Sequence, residues 1–228
     1  VGSEMCIRDR IMLQSCLNEE KGPAIYVVPD NYLVKQVIDE AKRLGISATV
    51  DKDDYNYSNS KAILVTSIQT IVNGHSYFGM REAGNYPIGS IIIDDVHACM
   101  DKIIDQFMIK IDAETDAYKE LIALFSSSLK DYNPKNYIDV VEMKDCRNNM
   151  LVPYWEWQRQ QDNIYRILTK YNNSDNTSIY FGLPLIERCL ETCDCIITAS
   201  AIEISPKGID LDKISSLEEA SRRIYMSA

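Results

Sequence analysis

A chain of 228 residues with a hydrophobic fraction of 46% has enough apolar material for one or two packed cores. It has no run of 18 apolar residues that would read as a membrane span, and no basic start with a long apolar core that would read as a secretory signal. The balance of 24 basic to 34 acidic residues, net charge −10, argues against adhesion to nucleic acid through a broad basic surface, and seven cysteines without an export signal point to free thiols in a reducing cytoplasm.

Residues 1–9 fit no pattern that follows and read as an artefactual or disordered terminus. Ile11, Met12, Leu13, Cys16 and Leu17 recur at helical spacing over 10–20, and Lys21-Gly22-Pro23 stops them. Ala24 to Val28 is a continuous apolar run, as expected of a parallel strand buried on both faces. Pro29-Asp30 ends it, Asp30 or Asn31 can cap a helix from Tyr32 to Leu44, and Gly45 closes that helix. A short strand over Ile46 to Val50 precedes a polar loop from Asp51 to Ser60. The strand Ala62 to Val65 ends in Thr66-Ser67, a helix-start signal for Ile68 to Val72. After a loop near Gly84 to Pro87 comes the most apolar strand, Ser90 to Ile93, which leads directly into Asp94-Asp95-Val96-His97. Alternating strands and helices at this spacing predict an α/β fold with a parallel sheet flanked by helices, whose chemistry sits at the carboxyl ends of the strands.

From residue 99 to 212 helical patterns dominate, at Ala117 to Leu129, Tyr154 to Tyr171 and Leu183 to Cys189. A short strand is expected near Tyr137 to Val141, and a strand or hairpin over Cys195 to Ile204. This stretch reads as a mainly helical inserted subdomain. A short helix at Leu217 to Ser221 and a strand at Arg223 to Met226 then return to the first pattern.

The strongest chemical feature is the carboxylate pair at the end of the most apolar strand. Mg²⁺ prefers one or two carboxylates together with waters and substrate phosphates. Asp94 is the candidate metal ligand, directly or through water. Asp95 is the candidate for orienting or deprotonating a water, and His97 the link to neighbouring segments. Alone, the tetrapeptide fits an acidic strand end equally well.

Asp94-Asp95-Val96-His97 resembles the Walker B box of superfamily 2 helicases, written D-E-A-D or D-E-A-H, with Asp95 in place of the usual Glu. Pro29-Asp30-Asn31-Tyr32-Leu33-Val34-Lys35-Gln36 resembles helicase motif Ia, P-T-x-x-L-x-x-Q, matching at Pro29, Leu33 and Gln36 and departing at Asp30. Thr66-Ser67 resembles the next segment of the family, and Ser227-Ala228 the start of motif III, S-A-T. The resemblance implies a RecA-like first ATPase domain over 10–98 and 213–228. It implies ATP and Mg²⁺ as cofactors at Asp94 and Asp95, and coupling of His97 to Ser227. It also implies contacts from Pro29, Asp30, Asn31, Gln36, Thr66 and Ser67 to the backbone of one strand of DNA or RNA. Helicases related to XPD and DinG carry an arch insertion between the second and third of these motifs, where 99–212 lies here.

The Walker A loop, G-x-x-x-x-G-K-[ST], does not occur in the sequence. The expectation is therefore a fragment of a helicase or translocase motor, inactive alone, whose partner is a second RecA-like domain of the same parent chain. The alternative is a degenerate, non-catalytic helicase-like interaction module, which Asp95 favours. No four-cysteine pattern supports an iron–sulfur cluster, and Cys189, Cys193 and Cys195, with Cys146, lack the paired spacing of a zinc site. Tyr154-Trp155-Glu156-Trp157 reads as core or docking aromatics, or else as a base-stacking platform.

Overall fold

A computed structural model describes residues 22–78, 88–209 and 214–227. The expected terminus at 1–9, the helix at 10–20, the loop at 84–87 and Ala228 lie outside the described residues. The chain divides into two compact units, one within Val1–Ile104 and Asp210–Ala228 and the other Asp105–Ile209. Among the described residues no helix is long and apolar enough to cross a membrane.

The first unit is α/β. Its five-stranded sheet runs in the order β2, β3, β1, β4, β9, with β1 Ala24–Val28, β2 Ala48–Thr49, β3 Ile63–Ser67, β4 Ser90–Ile93 and β9 Arg222–Tyr225. All its pairings are parallel. The three central strands β3, β1 and β4 are buried at every position, which is why they read as unbroken apolar runs. The register sets Tyr26 opposite both Val65 and Ile92, and Ile93 opposite both Val27 and Tyr225. Four strands therefore end along one rim.

The helix Asn31–Arg43 covers one face of this sheet. Leu33, Val34, Val37, Ile38 and Ala41 pack against Tyr26, Val28, Ile63, Val65 and Ile92. Asp30 caps the helix by accepting from the Tyr32 and Leu33 amides at 2.9 and 3.1 Å. The far end closes with Gly45 at φ +70, Gly45 N donating to Lys42 O at 3.1 Å and Ile46 N to Ala41 O at 2.9 Å. This is the left-handed closure that glycine accepts without a Cβ clash. On the opposite face Val96, Met100 and Ile103 of the helix Val96–Gln106 share an apolar groove with Ile93 and Tyr225.

The second unit differs from the sequence expectation. Helices hold its larger share, but they surround a four-stranded antiparallel sheet in the order β5, β8, β7, β6. The strands are β5 Ile109–Asp112, β6 Asn149–Leu151, β7 Cys193–Thr198 and β8 Ala201–Pro206. The expected hairpin is β7 with β8; β5 and β6 were not foreseen. The unit also starts later and ends earlier than the predicted 99–212 insertion.

The strand expected near Tyr137 to Val141 is helical instead, as Pro134–Tyr137 followed by a wide turn at Ile138–Glu142. Asn133 accepts from Asn136 N at 3.1 Å and Pro134 occupies the first turn, and this start signal outweighs the β-branched residues after it. The predicted helix over Tyr154 to Tyr171 is two helices, Tyr154–Arg159 and Gln161–Lys170, broken at Gln160. The helix Thr177–Ile186 lies close to β5, because a Cβ on Gly182 would come within 2.8 Å of Ile109 Cγ1.

The cysteines of this unit behave as core residues. Cys193, Cys195 and Ile197 alternate inward on β7. Burial, with Cys193 nearby, pushes the Cys195 thiol far above its usual range. Cys193 Sγ donates to Cys189 O at 3.5 Å, and Cys189 Sγ to Ile186 O at 3.3 Å. Cys146 is exposed.

Candidate functional site

The rim formed by the carboxyl ends of β1, β3, β4 and β9 gathers the residues singled out in the sequence. Backbone bonds stitch the β4 end between its neighbours. Asp94 N donates to Val27 O at 2.8 Å, Met226 N to Ile93 O at 2.9 Å and Val96 N to Met226 O at 2.8 Å. Asp94 and Asp95 are thus held at the end of a buried strand while remaining half-buried themselves.

The Asp94 carboxylate is bonded at both oxygens. Tyr26 donates its phenol to Oδ2 at 3.1 Å, and Asp95 N donates to Oδ1 at 3.0 Å. A carboxylate has about four lone-pair sites, so two acceptor positions remain. Below it, Cys99 Sγ donates to Asp94 O at 3.3 Å. Burial, then the charges of Asp95 and Asp94, push the Cys99 thiol up to about 12. Cys99 is therefore a protonated donor at neutral pH rather than a nucleophile.

Asp95 has φ +46, a left-handed backbone. Its Oδ1 accepts from Ala98 N at 3.3 Å, and its carbonyl accepts from Cys99 N at 3.0 Å. Aspartate tolerates the left-handed region better than glutamate because its short side chain bonds locally. This backbone favours Asp over Glu at the position. Asp95→Gly is expected to leave the unfolding free energy within a few tenths of a kcal/mol, whereas Asp95→Glu loses about 1 kcal/mol. Urea denaturation measures both, and a glutamate variant as stable as the parent would remove the conformational explanation.

His97 is exposed, and its Nδ1 lies 3.4 Å from Ser227 Oγ across 130 positions of sequence. The motif Ia candidates separate by exposure: Pro29 is buried, while Asp30, Asn31 and Gln36 are exposed. The Asp30 carboxylate occupies two of the helix amides that would otherwise face a phosphate. Thr66 and Ser67 reach the rim at the end of β3 but are buried, and Ser67 Oγ lies 3.2 Å from Thr70 Oγ1. The rim therefore brings Asp94, Asp95, His97 and Ser227 into one bonded neighbourhood. Thr66, Ser67 and Pro29 stand beside it with little surface.

Tyr26 and Cys99 were missed in the sequence. Tyr26 lies in an apolar run and carries no motif; only the parallel register brings it beside Asp94. Cys99 follows the box at a helical spacing from Asp95, which was the available signal.

No protein-family model matches the sequence, and a search of curated proteins gives no match. Among solved structures, an apo structure of XPD superposes with a TM-score of 0.51 at 12% identity, covering 96% of this chain and 47% of that one. The structure of S. tokodaii Xpd4 superposes with a TM-score of 0.47 at 12% identity, covering 96% of this chain and 50% of that one. The fold is helicase-like. The chain spans about half the length of these two structures.

Proposed function

We propose that this chain supplies part of the first motor domain of a nucleic-acid-dependent ATPase of the helicase type. The observation that carries the reading is the rim itself: a carboxylate pair at the end of β4, bonded on one side to β1 through Tyr26 and adjoined on the other by the His97 and Ser227 pair. The XPD-like fold supports it. Sheets of this kind are shared by many activities, so the residues of the site discriminate between activities more than the fold does.

The residues present fit a hard divalent cation. Asp94 offers oxygen ligands with two acceptor positions left, as Mg²⁺ held partly by water requires. Mg²⁺ would supply neutralisation of phosphate charge. Asp94 would hold it, Asp95 would orient a water with the oxygen not bonded to Ala98 N, and His97 would relay the state of the site to Ser227. ATP does not fit in the same way, because the 228 residues contain no glycine-rich loop with its lysine to cradle phosphates. No hydrolytic step is derived for these residues alone. On the nucleic-acid side, Asn31 and Gln36 are the exposed side chains available to a single-strand backbone.

Calorimetry with Mg²⁺ and a non-hydrolysable ATP analogue tests the reading, with affinity no better than millimolar expected. Micromolar binding would mean that the phosphate site lies elsewhere in the chain. Mn²⁺ as a paramagnetic substitute tests the carboxylates: Asp94→Asn should lose at least about tenfold in affinity, as expected when a charged ligand becomes a neutral amide.

A second reading, a non-catalytic helicase-like interaction module, is favoured by one observation. The Asp95 carboxylate already caps the following helix through Ala98 N. Under that reading Asp94→Asn leaves Mn²⁺ affinity unchanged.

A further inference from the structure

The bond between Tyr26 and Asp94 joins two strands across 68 positions of sequence, and no motif contains it. Tyr26 is 4% exposed, with its ring packed among Ala24, Val28, Ala41, Val65 and Ile92. A ring so enclosed holds its hydroxyl at one place on the rim. The last torsion of an aspartate side chain is otherwise broad and roughly two-fold. Here Tyr26 fixes Oδ2 from β1 while the Asp95 amide fixes Oδ1 from the chain itself, so the plane of the carboxylate is set from two directions.

The chemical type of the donor also matters. A lysine or arginine at this distance would pair with Asp94 and cancel its charge. A neutral phenol restrains the carboxylate and leaves the negative charge available. Among the described residues no ion pair involves Asp94.

We propose that Tyr26 is a positioning residue for the Asp94 carboxylate, holding it in the orientation in which it receives a divalent cation. The cation half of this statement rests on the function proposed above; the positioning half does not. The test uses the full chain, labelled with ¹³C at the aspartate side-chain carboxyls, with the Asp94 resonance identified by its loss in Asp94→Asn. Tyr26→Phe keeps the buried ring and removes only the hydroxyl. It should move the Asp94 resonance, lower the thermal midpoint by no more than about 4 °C, and weaken Mn²⁺ binding about fivefold, the effect of one hydrogen bond of ordinary net strength.

An Asp94 resonance unmoved by Tyr26→Phe overturns the proposal, whatever the metal does. A moved resonance with Mn²⁺ affinity equal to the parent's also overturns it, because the contact would then have no consequence. A moved resonance in a chain whose parent binds no Mn²⁺ upholds the positioning role and rejects the cation reading of the site.

Discussion

Replacing Ile92 with alanine is expected to cost about 2–5 kcal/mol of unfolding free energy, the range for truncating a fully buried aliphatic side chain whose surroundings relax only in part. Ile92 is fully buried in the centre of β4, paired in register with Tyr26 on one side and Ile224 on the other. Strand alternation puts Ile92 and Asp94 on the same face of the sheet. The cavity would therefore open beside the Tyr26 ring, two positions before the carboxylate that its hydroxyl holds. Urea denaturation gives the stability loss, and the ¹³C resonance of Asp94 reports whether the phenol shifts. A loss below about 1 kcal/mol would mean that the sheet can collapse around the gap, which interiors at crystal-like density rarely do.

In the second unit Trp157→Ala is expected to lose about 3–5 kcal/mol. Trp157 is 2% exposed, lies 6.1 Å from the Phe125 ring centroid, and donates Nε1–H to Leu190 O at 2.8 Å. Trp157→Phe keeps much of the packing and removes one of two donors to Leu190 O, the other being Cys193 N, for a loss of about 0.5–1.5 kcal/mol from the hydrogen bond. Two residues earlier, Trp155 is 50% exposed and meets Tyr132 and Tyr154 edge-on at 5.5 and 5.2 Å. Trp155→Ala should cost about 1–3 kcal/mol, the worth of two such ring pairs on a half-exposed side chain, and less than Trp157→Ala. Equal losses at the two tryptophans, measured by denaturation, would contradict the division of this motif into one core and one surface ring.

That division illustrates what sequence reasoning reached and where it stopped. The four residues Tyr154 to Trp157 read as core, docking or base-stacking aromatics. The three-dimensional answer is mixed, because at helical pitch two residues apart do not share a face. Glu156, between them, is buried yet anionic. Burial pushes its carboxyl up, but the bonds from Arg159, Ser128 and Gln160 outweigh that and hold it below its usual range. Nothing in the local sequence announces such a network, since Ser128 comes from a helix 28 positions earlier.

The amino-acid sequence by itself determined the parallel sheet, because strands buried on both faces must be apolar throughout. Ala24 to Val28, Ile63 to Val65 and Ile91 to Ile93 could be little else. It also determined the helix ends at Asp30 and Gly45, where short-range bonds to the backbone decide the conformation. Tertiary structure alone decided the antiparallel sheet of the second unit, whose four-residue strand β5 pairs with β8 some 90 positions later. It alone decided the left-handed turn at Asp95 and the Tyr26 hydroxyl on Asp94. Periodicity records which face of an element is buried, but not which distant strand lies beside it, and the candidate site is built from that adjacency.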